Sequence, residues 1–184
     1  MEKLVKIVWG ITGAGDRIQQ TVKVLIGVLQ METVEITVIV SKAGEQVLKW
    51  YRLWEKLNEA GPNRVKVEVS ANNPFIAGPL QTGKYKCLIV APATANTVAK
   101  IVNGIADTII TNMVAQANKT SLDIFILPVD RKKEIKTTIL PNKKTLELTV
   151  RDVDVENCEK LSKMPGITVL ERPEDILPVI NGLI

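Results

Sequence analysis

The chain has 184 residues, 46% of them hydrophobic and 24% charged, and its 24 Lys and Arg against 20 Asp and Glu leave a net charge of +4. This length suits one domain over residues 1–184 with a core of its own, and the composition excludes a disordered chain. The chain contains no histidine, which excludes Ser-His-Asp and Cys-His catalysis and histidine-ligated metal sites, while 4% aromatics and a mild charge argue against a nucleic-acid surface.

No apolar run approaches the roughly 20 residues of a membrane helix. The opening "MEKLVKIVWG" reads as a first strand rather than a signal peptide, so a cytoplasmic protein is expected. "LVKIVWG" and "VEITVIVS" are short β-branched runs, the pattern of strands buried on both faces of a parallel sheet. Between them Ile18, Val22, Leu25, Ile26 and Leu29 form a helical stripe, with Asp16 as the expected N-cap. "AGEQVLKWYRLWEKLN" predicts a second helix, on which Trp50 and Trp54 share a face at i, i+4 spacing. "RVKVEVS" predicts a third strand near the sheet edge, and "NNPFIAGPLQTGKY" a loop with at most one short turn.

"KCLIVAP" and "LDIFILPV" predict strands four and five. Val98, Ile101, Val102, Ile105, Ile109, Met113 and Ala117 stripe the helical segment between them. Beyond Pro128 the charged "DRKKEIK" and "PNKK" predict exposed loops. "TLELTV" predicts an extra strand, "VENCEKLSKM" a short helix, and the C-terminal residues a last strand and helix. Strands alternating with helices imply right-handed βαβ units in an α/β doubly wound parallel sheet, which binds ligands at the carboxyl ends of its strands.

Three candidate ligand loops follow the strands. "GITGAGDRI" opens the first helix with glycines that do not match GxGxxG, and Asp16 stands where a phosphate-binding loop would need lysine. Ser41-Lys42 begins the second helix. "PATANT" offers Thr94, Asn96 and Thr97 among alanines, more polar groups than one helix cap needs. Cys87 and Cys158 are too far apart in sequence for a CxxC or cluster motif. No metal site is expected.

"PATANTVAKIVNGIADTIIT" resembles the PASANT signature, with its GIADNLLT continuation, of the flavoprotein family that contains phosphopantothenoylcysteine decarboxylase and lantibiotic cysteine decarboxylases. "GITGAG" resembles that family's first loop and "VSKAG" its second, a layout shared by the flavin prenyltransferases. With "RDVDVENCEKL" near its end, the chain is most similar to the archaeoflavoprotein A and archaeal dihydromethanopterin reductase branch. The resemblance implies bound FMN, a Rossmann-like three-layer α/β/α fold and a homo-oligomer built from trimers. It further implies that Thr12, Gly13, Ala14 and Gly15 border the phosphate and ribityl chain and that Ser41 hydrogen-bonds the phosphate. Thr94, Ala95, Asn96 and Thr97 would lie along the isoalloxazine ring.

The departures narrow the chemistry. The decarboxylases' essential histidine is missing, and "ANNPFIAGPL" offers no counterpart of their substrate-binding Asn-Met motif. The prenyltransferase arginine is replaced by Val129-Asp130 after Pro128. Decarboxylase and prenyltransferase activities are therefore disfavoured, and redox chemistry by the flavin is expected, with no catalytic side chain assigned. The expected electron donor is ferredoxin, docking on Arg131, Lys132, Lys133, Lys136, Lys143 and Lys144. A pterin reductase is the alternative.

Overall fold

The computed structural model describes residues 4–184. The strands are β1 (Val5–Ile11), β2 (Val34–Val40), β3 (Val65–Val67), β4 (Cys87–Ala93), β5 (Asp123–Pro128), β6 (Ile135–Ile139), β7 (Thr145–Thr149) and β8 (Ile167–Val169). The helices are α1 (Ile18–Leu29), α2 (Lys42–Trp50), α3 (Trp54–Ala60), α4 (Ala77–Gln81), α5 (Ala95–Val102), α6 (Ile109–Ala117), α7 (Asp152–Ser162) and α8 (Ile176–Asn181). A six-stranded sheet runs in the order β3-β2-β1-β4-β5-β8, and its strands are parallel throughout. The strand order reverses between β1 and β4, the place where open α/β sheets form a ligand crevice.

The period-two alternation of β1 divides the core. Ile7, Trp9 and Ile11 face one side, with Ile18, Leu25, Leu48, Leu57 and Ile180 from the helices covering it. Val8 faces the other, against Leu80, Val98, Ile110, Val114 and Leu161. The result is the expected Rossmann-like three-layer arrangement. The indole of Trp9 is fully buried, and its Nε1 donates to the Ala91 carbonyl at 2.8 Å, so the largest core side chain leaves no polar group unpaired. The third strand is the short edge strand that its alternation predicts, and the segment after it contains only the five-residue α4.

Two predicted helices are broken. Arg52 adopts a left-handed conformation (φ 56°), Leu53 N donates to Leu48 O, and Arg52 N donates to Lys49 O. These two bonds form a Schellman stop that separates α2 from α3. Trp50 and Trp54 therefore do not share a helix face: Trp50 is 55% exposed, while Trp54 packs against the core and lies under the Lys49 ammonium at 5.4 Å. The segment after the fourth strand stops in the same way at Gly104 (φ 71°), with Ile105 N bonded to Lys100 O. Ile105 thus leaves the predicted stripe and is 47% exposed. Asp16 does not cap α1, whose N-cap position is Arg17 in a left-handed conformation; the Asp16 carboxylate instead pairs with Lys136 at 2.8 Å.

The charged segment after β5 is a hairpin, not only a loop. β6 and β7 pair antiparallel in a separate two-stranded sheet, with Lys136 opposite Leu148 and Thr138 opposite Leu146. Lys136 ties the hairpin down. Its side chain is only 11% exposed, and it bonds Asp16 and the Val129 carbonyl while lying 3.6 Å from Asp130. Among the described residues, no helix is long and apolar enough to cross a membrane.

Candidate functional site

The three loops singled out in the sequence meet at the carboxyl edge of the sheet, and one side chain joins two of them. Thr12 directly follows β1 and is 2% exposed. Its Oγ1 donates to the Pro92 carbonyl at 2.8 Å and accepts the Thr94 N–H at 2.9 Å, while its own N–H reaches Pro92 O at 3.3 Å. Pro92 has no N–H for a ladder, and the β4–β5 register shifts between Val90 and Ala93. The strand thereby turns out of the sheet and presents Thr94 to Thr12.

The second loop closes against the first. Ser41 N donates to Ile11 O at 3.0 Å. A Cβ on Gly13 would come within 2.7 Å of the Ala43 Cβ, and one on Gly44 within 2.8 Å of the Ile11 carbonyl. These two glycines are explained by the close approach of α2 to the end of β1. Ala14 is buried beside them. A Cβ on Gly15 would lie 3.0 Å from the Tyr51 hydroxyl, which donates to Ile139 O of the hairpin at 3.3 Å. Burial, followed by the nearby Asp16 charge, raises the Tyr51 pKa, so this phenol remains a donor at neutral pH.

The helix ends leave groups free for a ligand. Ser41 Oγ accepts the Gly44 N–H at 3.0 Å, which leaves its hydroxyl proton to donate. Thr94 Oγ1 accepts the Thr97 N–H at 3.1 Å, and the two threonine hydroxyls lie 2.9 Å apart. The amides of Ala95 and Asn96, in the first turn of α5, have no intrahelical acceptor. Asn96 is exposed and takes part in none of these loop bonds, while Thr97 is buried. The edge therefore offers small side chains, a helix N-terminus, a hydroxyl donor and an unengaged carboxamide, a donor set that fits a flat heterocycle with a polyol phosphate tail.

Glu68 and Tyr51 carried no distinguishing signal in the sequence, and Lys136, expected in a docking patch, has a different role here. Glu68, just after β3, accepts the Lys42 N–H at 3.1 Å and the Ile109 N–H at 2.9 Å. Tyr51 fastens the hairpin to the end of α2, and Lys136 fastens it to the first loop. Burial holds the Asp130 carboxyl above the ordinary aspartate value, with the Lys136 ammonium pulling the other way. Burial also pushes the Cys87 thiol up to about 12 and the Cys158 thiol up to about 11. Neither cysteine is a thiolate relay near neutral pH.

Residues 1–182 match the Flavoprotein family. The chain belongs to that family. It is 50% identical over 177 residues to an uncharacterized protein of Methanocaldococcus jannaschii, covering 96% of this chain and 95% of that one. It is 32% identical to the dihydromethanopterin reductase (acceptor) of the same organism, covering 96% of each. Its fold superposes on Burkholderia xenovorans DmrB, described in complex with FMN as a cubic protein cage for redox transfer. That match has a TM-score of 0.80 and 27% identity, and covers 99% of this chain and 96% of that one. The Rossmann-like fold of this flavoprotein is thus shared by a redox protein whose described ligand is FMN, in agreement with the fold and cofactor that the family resemblance implies.

Removing the Thr12 hydroxyl leaves the Thr94 N–H without its acceptor, an expected loss of about 1–3 kcal/mol. Thr12→Val should lower the denaturant midpoint accordingly in urea unfolding, and Thr12→Ser should restore most of it. Equal midpoints for the Thr12→Val variant and the parent would show that the bridge contributes nothing.

Proposed function

We propose that this flavoprotein binds FMN at the carboxyl edge of its sheet and acts as an FMN-dependent oxidoreductase or electron carrier, with residues 1–184 forming a single flavoprotein domain. The observation that carries the reading is the Thr12-joined pair of loops at the strand-order reversal, which leaves Asn96 and the first amides of α5 open. FMN, when bound, supplies the one- and two-electron chemistry. The chain's own residues bind and orient it. Thr12, Gly13, Ala14 and Gly15 shape the phosphate and ribityl end, and the Ser41 hydroxyl donates to the tail. Thr94, Ala95, Asn96 and Thr97 lie along the ring, with Asn96 addressing its polar edge.

The protein works as a homo-oligomer built from trimers. This reading is supported by the DmrB cage and by the apolar side chains of Ile135, Ile139, Leu146 and Leu148 exposed on the hairpin. Its electron donor is a ferredoxin. The support is cationic, but Lys136 is withdrawn into the fold and Arg131 pairs with Glu171 at 3.0 Å. Lys132, Lys143 and Lys144 remain exposed around the hairpin, as does Lys133, which pairs with Asp152 at 2.8 Å. A pterin acceptor is the second reading, favoured by the name of the relative at 32% identity.

The protein should take up one FMN per chain. Asn96→Trp should weaken binding about tenfold or more, as expected when a polar contact is lost and the ring is obstructed, with an unchanged far-ultraviolet spectrum. Unaltered affinity in that variant, measured by fluorescence titration, would remove Asn96 from the site.

Reduction of the bound flavin by ferredoxin should slow as salt rises, because such attraction is screened over about 8 Å at physiological ionic strength. Lys143→Glu with Lys144→Glu should slow it further in stopped-flow traces. A rate indifferent to both, alongside rapid reoxidation of the reduced protein by a pterin, would move the partner from an acidic protein to a small molecule.

A further inference from the structure

Glu68 is half-buried in the loop after β3, and its own N–H is bonded to Val40 O at 2.8 Å. Each of its carboxylate oxygens accepts the first amide of a different helix, Lys42 N of α2 at 3.1 Å and Ile109 N of α6 at 2.9 Å. Both helices serve their third amide with their own cap, Ser41 to Gly44 N and Thr108 to Thr111 N. The first amides have no such partner and need an outside acceptor. One carboxylate meets that need for both. An isosteric carboxamide cannot, because one of its two terminal atoms is a donor that would face an N–H. The two helix N-termini also favour a negative charge at this point. The same loop is held from α6 by Asn112, whose Nδ2 donates to Ala71 O at 2.8 Å and to Asn72 Oδ1 at 2.9 Å.

The consequence falls on the neighbouring Ser41. With Lys42 N already engaged, the start of α2 offers a ligand the Ser41 hydroxyl proton and the Ala43 amide, next to a fixed negative charge. A carboxylate in that place opposes the further negative charge that electrons bring to a flavin. We propose that Glu68 is a positioning residue that fixes the Ser41 loop against α6 and, through its charge, keeps the reduction potential of the bound flavin low. This inference rests on the FMN reading above.

The test uses Glu68→Gln and Glu68→Ala in the full chain. In the cofactor-free protein, hydrogen exchange at the Lys42 and Ile109 amides should quicken about tenfold in Glu68→Ala, the scale of a lost charge-assisted bond. In Glu68→Gln, at least one of the two amides should quicken likewise. In the FMN-loaded protein, the midpoint potential of Glu68→Gln should move to a more positive value, a change that a purely structural role would not produce. Parent-like exchange at both amides, or an unmoved potential, would overturn the proposal while leaving FMN binding intact. A parent protein that takes up no FMN would overturn both readings. Should Glu68→Ala fail to fold, the isosteric Glu68→Gln alone decides through its potential and its exchange.

Discussion

The candidate site depends on a single buried hydroxyl. Thr12 stands at the reversal of strand order, where the connections leaving β1 and β4 diverge to opposite faces of the sheet and open a crevice. Diverging connections have no intrinsic reason to keep a fixed separation. The Thr12 hydroxyl sets it by donating to one backbone group of the β4 loop and accepting from another. With that distance fixed, Gly13 can pack on Ala43, and α2 can start where Ser41 caps it. The bridge is buried, so water competes for it weakly and its geometry is well defined. The residue that positions the ligand groups is therefore one whose own hydroxyl is already engaged by the protein.

Much of this was legible in the sequence because it follows from period and composition. β-Branched apolar runs gave the central strands, and polar residues crowded among alanines marked the loop after β4. The helix breaks were legible only in part. Asn103-Gly104 is a readable stop, masked by an apolar stripe whose spacing continues to Ala117. Arg52 gives no such sign, since a left-handed arginine is held there by the two backbone bonds of the Schellman motif and not by its own preference. Asp16 looked like a cap and became an ion-pair partner, because Lys136 arrives from 120 residues away. Glu68 was unreadable for the same reason. Its two donors lie 26 residues before it and 41 after it, and no local pattern encodes their meeting.

Charge at this edge is spent mainly on holding elements together. Lys136 joins the hairpin to the first loop, and Glu68 joins α2 to α6. Lys132, Lys143 and Lys144, at the hairpin and its approach, take no part in these bonds and are exposed. Both cysteines are buried with raised pKa values, which leaves the flavin as the redox group. A protein of this kind contributes placement and electrostatics while the cofactor carries the electrons.

The central claim is that the flavin lies at the reversal of strand order, between the loops that Thr12 joins. A crystal structure of the FMN-loaded protein tests it most directly. It should show the ring along Ala95 and Asn96 and the tail within reach of the Ser41 hydroxyl, with the Thr12 bonds to Pro92 and Thr94 retained. FMN found instead in the groove beside β2, lined by Met31, Thr37, Arg64, Lys66 and Tyr85, would contradict the account.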